Sequence, residues 1–490
     1  MEHYDLIVIG GGPSGYAGAM RAIDFGKKVL LIEKTRIGGS GIYNGVLTSK
    51  TLWEQAQKVS SIRELIPDYE AKFETMAKVV DEAVFERKTQ MTVHLQLLQK
   101  LKNRLFFYEK GTATLLDKHT VQIAKEDSTK TVSADFILLA TGSRPRVPFN
   151  IEVDERTIVT SDGIRNFTGF PESMVVLGAG VIGCEFATIF AGFGKTKVNL
   201  IDKADRILPF EDEDIAGIVK NNLEANGAHV HHGASLKRMN VVNGRVEYEL
   251  EYKSGHNEVL TVDKALISIG RIPNIENIGL ENAGVKLNDR GCIWDDDTQT
   301  NISNIFVAGD VTTEVALVNV GEREARHAVV RMFGPTIKPL SYKNISTIMF
   351  LNPEVAAVGM NEQECVAKGI PHKVVKLDFS TNARAIAMRK TKGFFKIIVT
   401  NDSGMRILGM RAIGEHASSA IQAVAYLIHT NQGIRELADM MHPHPSIIEG
   451  VQECLRMLLN KSIYKPYVFK DRLKCYVCEN GICTPIESLV

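Results

Sequence analysis

A chain of 490 residues is long enough for two or three domains, and its 44% hydrophobic and 24% charged residues are the balance of a soluble globular protein. Basic and acidic residues number 58 each, so no net charge favours nucleic acid or an anionic membrane as a partner. No apolar run reaches the roughly 20 residues of a membrane helix, and seven irregularly spaced cysteines do not make a secreted disulfide framework.

The chain opens Met-Glu-His-Tyr-Asp and enters a strand at once. That leaves no room for a signal peptide, so the expected location is cytoplasmic, or an organelle matrix after processing. Residues 4 to 9 read as a buried parallel strand, followed by the glycine turn Gly10-Gly-Gly12-Pro13-Ser14-Gly15 and a helix from Tyr16 to Phe25. A second strand, Val29 to Ile32, ends in Glu33. Gly10 permits the tight turn, Gly12 lets backbone approach a pyrophosphate, and Gly15 lets the helix pack on the strand. The helix N-terminus offers free N–H groups to phosphates, and Glu33 is spaced to accept hydrogen bonds from ribose hydroxyls.

Residues 50 to 103 read as mostly helical, and strands resume at Phe106. After the apolar run Phe136 to Ala140 the pattern restarts, with a strand at Met174 to Leu177 and a second turn, Gly178-Ala-Gly180-Val181-Ile182-Gly183. A helix from Cys184 to Phe193 and a strand from Val198 to Ile201 complete the repeat, ending in Asp202. A carboxylate there repels a 2′-phosphate and favours NAD(H) over NADP(H), with Lys203 and Arg206 close by as opposing charges. The fold expected is α/β, with two Rossmann-like dinucleotide-binding domains and a C-terminal α+β dimerisation domain. The boundaries expected are 1–150 with 275–341 for the first domain, 151–274 for the second, 342–468 for the third, and 469–490 for a cysteine-containing exposed tail. Two dinucleotide sites in one chain are explained most simply if one holds a flavin and the other delivers nicotinamide to it.

Further motifs occur in a fixed order: Ala140-Thr141-Gly142, Gly270-Arg271-Ile-Pro-Asn274, Phe306-Val-Ala-Gly-Asp310, Asn352-Pro-Glu354, Asn382-Ala-Arg384-Ala and His444-Pro-Ser-Ile-Ile-Glu449. With both glycine turns, they make the chain resemble the flavin-dependent pyridine nucleotide–disulfide oxidoreductases over nearly all of residues 4 to 465. That group includes dihydrolipoamide dehydrogenase, soluble transhydrogenase and mercuric reductase. The resemblance implies FAD held by the first turn together with Lys34, Gly39, Ser40, Lys50, Ala113, Thr141, Gly142, Arg271 and Asp310. It also implies that the helix starting near Ala316-Leu317-Val318 aims its N-terminus at the flavin, where it would stabilise negative charge. Lys50 and Glu185 match an ion pair beside the hydride-accepting atom, and Gly270 is assigned to the nicotinamide side. His444 and Glu449 match a pair that handles protons for the family's dithiol in a homodimer. Two readings of that pair stand, a general acid–base and a structural clip at the dimer interface.

The family's disulfide loop reads Gly-Gly-Thr-Cys-Leu-Asn-Val-Gly-Cys-Ile-Pro-Ser-Lys. Here the same stretch is Gly38-Gly-Ser-Gly41-Ile-Tyr43-Asn44-Gly45-Val46-Leu-Thr-Ser-Lys50, and the first cysteine in the chain is Cys184. Gly41 and Val46 form no thiolate, so a dithiol relay there is excluded. Reduced flavin would then pass electrons directly to a small quinone-like acceptor. Gly41 leaves either a small cavity edged by Tyr43 and Asn44, or a loop that collapses. A soluble transhydrogenase and a non-catalytic or electron-relay subunit of a larger complex are the alternatives. Cys475, Cys478 and Cys483 crowd the C-terminus, where Cys-x-x-Cys is a redox pair, half a metal site, a docking point for a partner, or incidental.

Overall fold

In the computed structural model, which describes residues 1–101, 104–312 and 315–486, side-chain alternation along strand Glu2–Ile9 sorts the first sheet into two faces. Leu6 and Val8 pack with Leu31, Leu138 and Phe306 against Ala19 and Ala22 of helix Pro13–Asp24 and Ala325, Ala328 and Val329 of helix Val318–Phe333. Ile7 and Ile9 join Ile32, Ile137, Leu139 and Val307 on the other face, closed by Ala113, Leu115, Val121 and Ile123. Each fully buried Leu, Ile or Val among these contributes about 1.5–3 kcal/mol, and each alanine less. The sheet has seven strands in the order Phe106–Lys110, Val29–Glu33, Glu2–Ile9, Thr129–Leu139, Thr120–Ala124, Thr112–Leu115, with Ile305–Val307 also pairing to Thr129–Leu139. The pairings among the first four and with Ile305–Val307 are parallel, and the last two strands are antiparallel.

These elements belong to one of two compact units, formed by Met1–Pro171, Arg238–Tyr248 and Thr261–Leu340. The helical stretch expected from residue 50 is two helices, Val46–Leu65 and Phe73–Gln99, and residues 102–103 lie outside the described residues. Strands Ile158–Thr160 and Lys264–Ile267 pair in parallel within the same unit.

The second unit comprises Glu172–Lys237, Glu249–Leu260 and Ser341–Val490. Strands Ser173–Leu177, Lys197–Ile201 and His229–His231 run parallel beside helix Val181–Phe193. The unit also holds a seven-stranded antiparallel sheet, ordered Ser346–Met349, Val355–Gly359, Ile407–Ile413, Phe394–Thr400, His372–Asp378, Leu473–Glu479, Ile482–Pro485. Helices Ile421–Thr430 and Glu449–Leu458 cover one face, their Val424, Ala425, Val451 and Leu455 meeting Phe395, Ile397 and Met410.

The expected exposed tail is therefore a β-hairpin added to this sheet. Leu473 and Cys478 are buried, and residues 487–490 lie outside the described residues. Among the described residues, no helix is long and apolar enough to cross a membrane.

Candidate active site

The two glycine turns have the same construction. Gly10 takes φ +108° and Gly178 φ +103°, a left-handed region that only glycine enters without strain. Gly10 N–H donates to Ile32 O and Gly178 N–H to Ile201 O, both at 2.9 Å, which locks each turn to its neighbouring strand. The next N–H in each turn donates to the acid at the end of that strand. Gly11 N–H reaches Glu33 Oε2 and Ala179 N–H reaches Asp202 Oδ2, both at 2.7 Å. A Cβ added at Gly12 or at Gly180 would meet nothing within 4 Å, so both helix N-termini face open space of the kind a pyrophosphate needs.

In the first unit, Thr141, Gly142, Arg271 and Asp310 converge beside the turn. Strand Arg271–Pro273 pairs antiparallel with Ser143–Pro145, and Asn274 bonds Gly142 O through its N–H and Thr141 O through its side chain. Ser143 Oγ donates to Asp310 Oδ2 at 2.7 Å and accepts from Arg271 Nε at 2.7 Å. Gly309 N–H donates to the buried Glu324 carboxylate at 2.7 Å, which fixes the backbone beside Asp310. Thr141 Oγ1 is buried without a hydrogen-bond partner, a polar group set up for something the protein itself does not supply.

Three glycines of the loop at 38–41 lie on the first turn. Gly38 N–H donates to Gly11 O at 2.7 Å, and an added Cβ on Gly39 would stand 3.3 Å from Gly12 Cα. One on Gly41 would stand 2.7 Å from Pro13 Cγ. Ser40 is exposed. Tyr43 is only 6% exposed and packs among Val80, Val84 and Met91 of the long helix, with Arg36 over its ring. Of the two readings of this loop, the burial of Tyr43 favours collapse over a cavity edged by its ring, because that ring gains more from the helix face than from a polar rim. Asn44 hydrogen-bonds the Asp162 carboxyl, whose pKa burial pushes up against the opposing pull of Arg271 and Asn44.

In the second unit, Val181 and Ile182 form the first turn of the helix after Gly180, and Gly183 is buried. Asp202 also accepts Ala204 N–H at 2.8 Å. Arg206 spends its guanidinium on Leu208 O, Pro209 O, Glu211 O and Gln363 Oε1, while Lys203 is exposed. Glu185 is buried and accepts Phe350 N–H at 3.0 Å. His444 Nδ1 lies 2.8 Å from Glu449 Oε1, and Ser446 N–H donates to Glu449 Oε2 at 2.7 Å. Burial works to raise the Glu449 pKa, but Ser446 N–H and His444 outweigh it and hold the carboxyl below its usual range. The Asn382 side chain donates to Ser446 O and Ile447 O and so anchors this loop.

Comparison with known proteins decides the family. The pyridine nucleotide–disulphide oxidoreductase model matches residues 4–325, and the dimerisation domain of the same family matches residues 345–455. The chain is a member of the pyridine nucleotide–disulphide oxidoreductase family. It is similar to dihydrolipoyl dehydrogenase of Geobacillus stearothermophilus, with 32% identity over 471 residues covering 94% of this chain and 97% of that protein. The Chlamydia muridarum enzyme of the same name is 31% identical over 476 residues, covering 95% and 99%. Among solved structures it resembles the Cu(II) complex of the HOCl-induced flavoprotein disulfide reductase RclA from Escherichia coli. That match has a TM-score of 0.83 and 26% identity, covering 94% of this chain and 100% of that one. LpdA from Mycobacterium tuberculosis shares the fold at TM-score 0.85 and 24% identity.

FAD and NAD(H) are the cofactors of this pyridine nucleotide–disulphide oxidoreductase family. The open space at Gly12, the unpartnered Thr141 Oγ1 and the Asp310–Ser143–Arg271 cluster fit FAD in the first unit. Lys50 lies on helix Val46–Leu65 of that unit, and Lys34 is exposed just after Glu33. Ala113 is buried in the core, while Leu317 caps the helix that begins at Val318, with Ala316 exposed just before it. Gly270 belongs to this first unit too, with its carbonyl bonded to Arg146 N–H. Gly178, Gly180, Val181, Ile182, Gly183, Glu185, Asp202, His444 and Glu449 all belong to the second unit. Sequence reasoning missed Ser143, Asp162 and Glu324. Only Ser143 carried a signal, as the hydroxyl directly after Thr141-Gly142.

Proposed function

We propose that this family member is an NADH-dependent FAD oxidoreductase that reduces a small quinone-like acceptor without a redox disulfide. The observation that carries the reading is a flavin unit complete in its turn, acid and polar cluster, with Gly41 and Val46 where a disulfide relay needs cysteines. The net reaction is NADH plus a proton plus quinone giving NAD⁺ plus quinol. FAD, when bound, supplies the hydride acceptance and electron storage that no side chain here provides.

The chain's own residues bind and orient. Gly180 and the helix beginning at Val181 receive the pyrophosphate of the nicotinamide nucleotide, and Asp202 accepts its ribose hydroxyls. The engagement of Arg206 with backbone carbonyls removes the nearest guanidinium from competition for a 2′-phosphate, which supports NADH over NADPH. Gly10, Gly12, Gly15 and Glu33 hold the FAD pyrophosphate and ribose, and Asp310 holds the polyol chain. Lys50 and Glu185 take the positions that flank hydride arrival in the family. His444, paired with Glu449, is the proton source in a homodimer formed through residues 345–455.

The test is anaerobic mixing of the FAD-loaded protein with NADH while flavin absorbance is followed, and then with a benzoquinone. Rapid bleaching with no long-wavelength thiolate–flavin band, followed by quinone turnover, is expected. A flavin that stays oxidised would sink the enzyme reading. Bleaching by NADH that only NADP⁺ reverses would turn the assignment to transhydrogenase. Bleaching with no small-molecule turnover would turn it to an electron-relay subunit.

A further inference from the structure

Outside the flavin and nicotinamide residues, one cluster of soft and hard ligands is assembled by the C-terminal hairpin. Strand Leu473–Glu479 pairs with Ile482–Pro485 so that Cys478 stands directly opposite Cys483, and the two are joined as a disulfide. Cys475, the other half of the Cys-x-x-Cys spacing, points to the opposite face and packs against the core of helices Ile421–Thr430 and Glu449–Leu458. In a strand, residues three apart never share a face, so the sequence pair is not the structural pair.

Beside the disulfide lies Glu362, in the first turn of helix Glu362–Ala367. A carboxylate oxygen of Glu362 and the two sulfurs lie within 4.8 Å of one another. Tyr476 OH donates to Glu362 Oε1 at 2.7 Å and Lys396 Nζ to Glu362 Oε2 at 2.9 Å, so both oxygens are oriented from behind. Lys396 is itself buried and tied to Asp212 and Asp214, and Lys376 also pairs with Asp214. Three carboxylates (Asp212, Asp214 and Glu362) thus meet two ammonium groups, leaving one excess negative charge next to the sulfurs.

We propose that Cys478, Cys483 and Glu362 form a redox-gated site for a thiophilic divalent cation of the zinc class, closed while the disulfide stands and opened by its reduction. A dithiol reductant attacks the exposed Cys483 sulfur. The S–S bond breaks, Cys478 leaves as a thiolate, and the reductant's second thiol resolves the mixed disulfide, so that the reductant is oxidised and two cysteine thiols remain. Cation binding releases the thiol protons to solvent. Zn–S bonds of about 2.3 Å in a tetrahedral shell separate their donors by roughly 3.5–4 Å. The three ligand atoms are therefore within a small side-chain adjustment of that geometry, and water completes the shell. The Tyr476 and Lys396 hydrogen bonds to Glu362 are the outer partners that such a carboxylate ligand requires.

The experiment titrates the full-length protein with Zn²⁺ against a chromophoric chelator, once as the disulfide and once after reduction by a phosphine that does not bind the metal. Reduced protein is expected to take up one more Zn²⁺ per chain than oxidised protein. That extra equivalent should vanish in Cys483→Ser and bind at least about tenfold more weakly in Glu362→Gln. Equal uptake by the two redox forms of the wild type overturns the proposal without recourse to any variant. So does an extra equivalent that survives in Cys483→Ser, which would place the metal on other thiols.

Discussion

Gly41 is the residue on which the proposed disulfide-free chemistry turns. An added Cβ would stand 2.7 Å from Pro13 Cγ, so restoring a cysteine forces the loop off the turn it lies on. Gly41→Cys should lower stability by about 1–3 kcal/mol, the usual cost of overpacking. Thermal unfolding of the FAD-loaded protein measures this, and an unchanged midpoint would mean that the loop yields freely. Asp202 is the second decisive residue in the proposed function, where its carboxylate, already holding Ala179 and Ala204 N–H, would repel a 2′-phosphate. Asp202→Ser should improve NADPH relative to NADH by about tenfold in kcat/KM, worth some 1.4 kcal/mol. Steady-state rates with the two nucleotides decide it. Both acids were legible in the sequence, since each ends a strand at fixed spacing from a glycine turn. Asp162 and Glu324 were not, because their partners Asn44 and Gly309 are brought to them by tertiary packing, and Ser143 was signalled only by its place after Thr141-Gly142, its partner Asp310 lying far along the chain.

At the scale of elements, the sequence predicts the strands of both strand–turn–helix units closely but starts both helices late, at Tyr16 and Cys184 rather than Pro13 and Val181, and it predicts an exposed tail where the structure has a C-terminal hairpin. The signal was present. Asn480-Gly481 is a two-residue turn with both residues at positive φ, the chemistry of a type I′ hairpin, flanked by the apolar stretches Cys475–Cys478 and Ile482–Cys483. Strand His229–His231 carries a different consequence. His231 is 4% exposed, its Nδ1 lies 2.6 Å from the Tyr252 hydroxyl, and that hydroxyl donates to Glu258 at 2.8 Å. Burial, aided by the neighbouring His229, depresses its pKa to about 4. The unfolded chain then binds a proton that the native chain refuses, so stability is lost as pH falls from about 6.5 towards about 4. The loss should be on the order of 2–3 kcal/mol. His231→Gln should flatten the unfolding midpoint against pH over that window, and a slope equal to wild type would assign the effect to other groups.

At the scale of the whole molecule, two glycine turns of like construction were legible because the motif that makes each is local and occurs twice. The dimerisation region was legible only through resemblance. Its antiparallel order interleaves strands from residue 346 to residue 485, and no short stretch of sequence encodes which strand neighbours which. The same long-range assembly sets the fate of every described thiol. Cys184, Cys365 and Cys454 are buried, and burial raises the pKa of all three, with Cys365 pushed up to about 11. Cys475 is likewise pushed up to about 11, and Cys292 is raised by burial as well. With the hairpin disulfide closed and no cysteine in the flavin loop, the native enzyme presents almost no thiolate at neutral pH. Arsenicals, gold compounds and alkylating electrophiles, which poison a flavoenzyme through a reduced active-site dithiol, should therefore leave NADH-driven turnover intact. Incubation with NADH and phenylarsine oxide would show it, and a chain of this kind could go on disposing of reducing equivalents in a cell whose dithiol enzymes had been silenced.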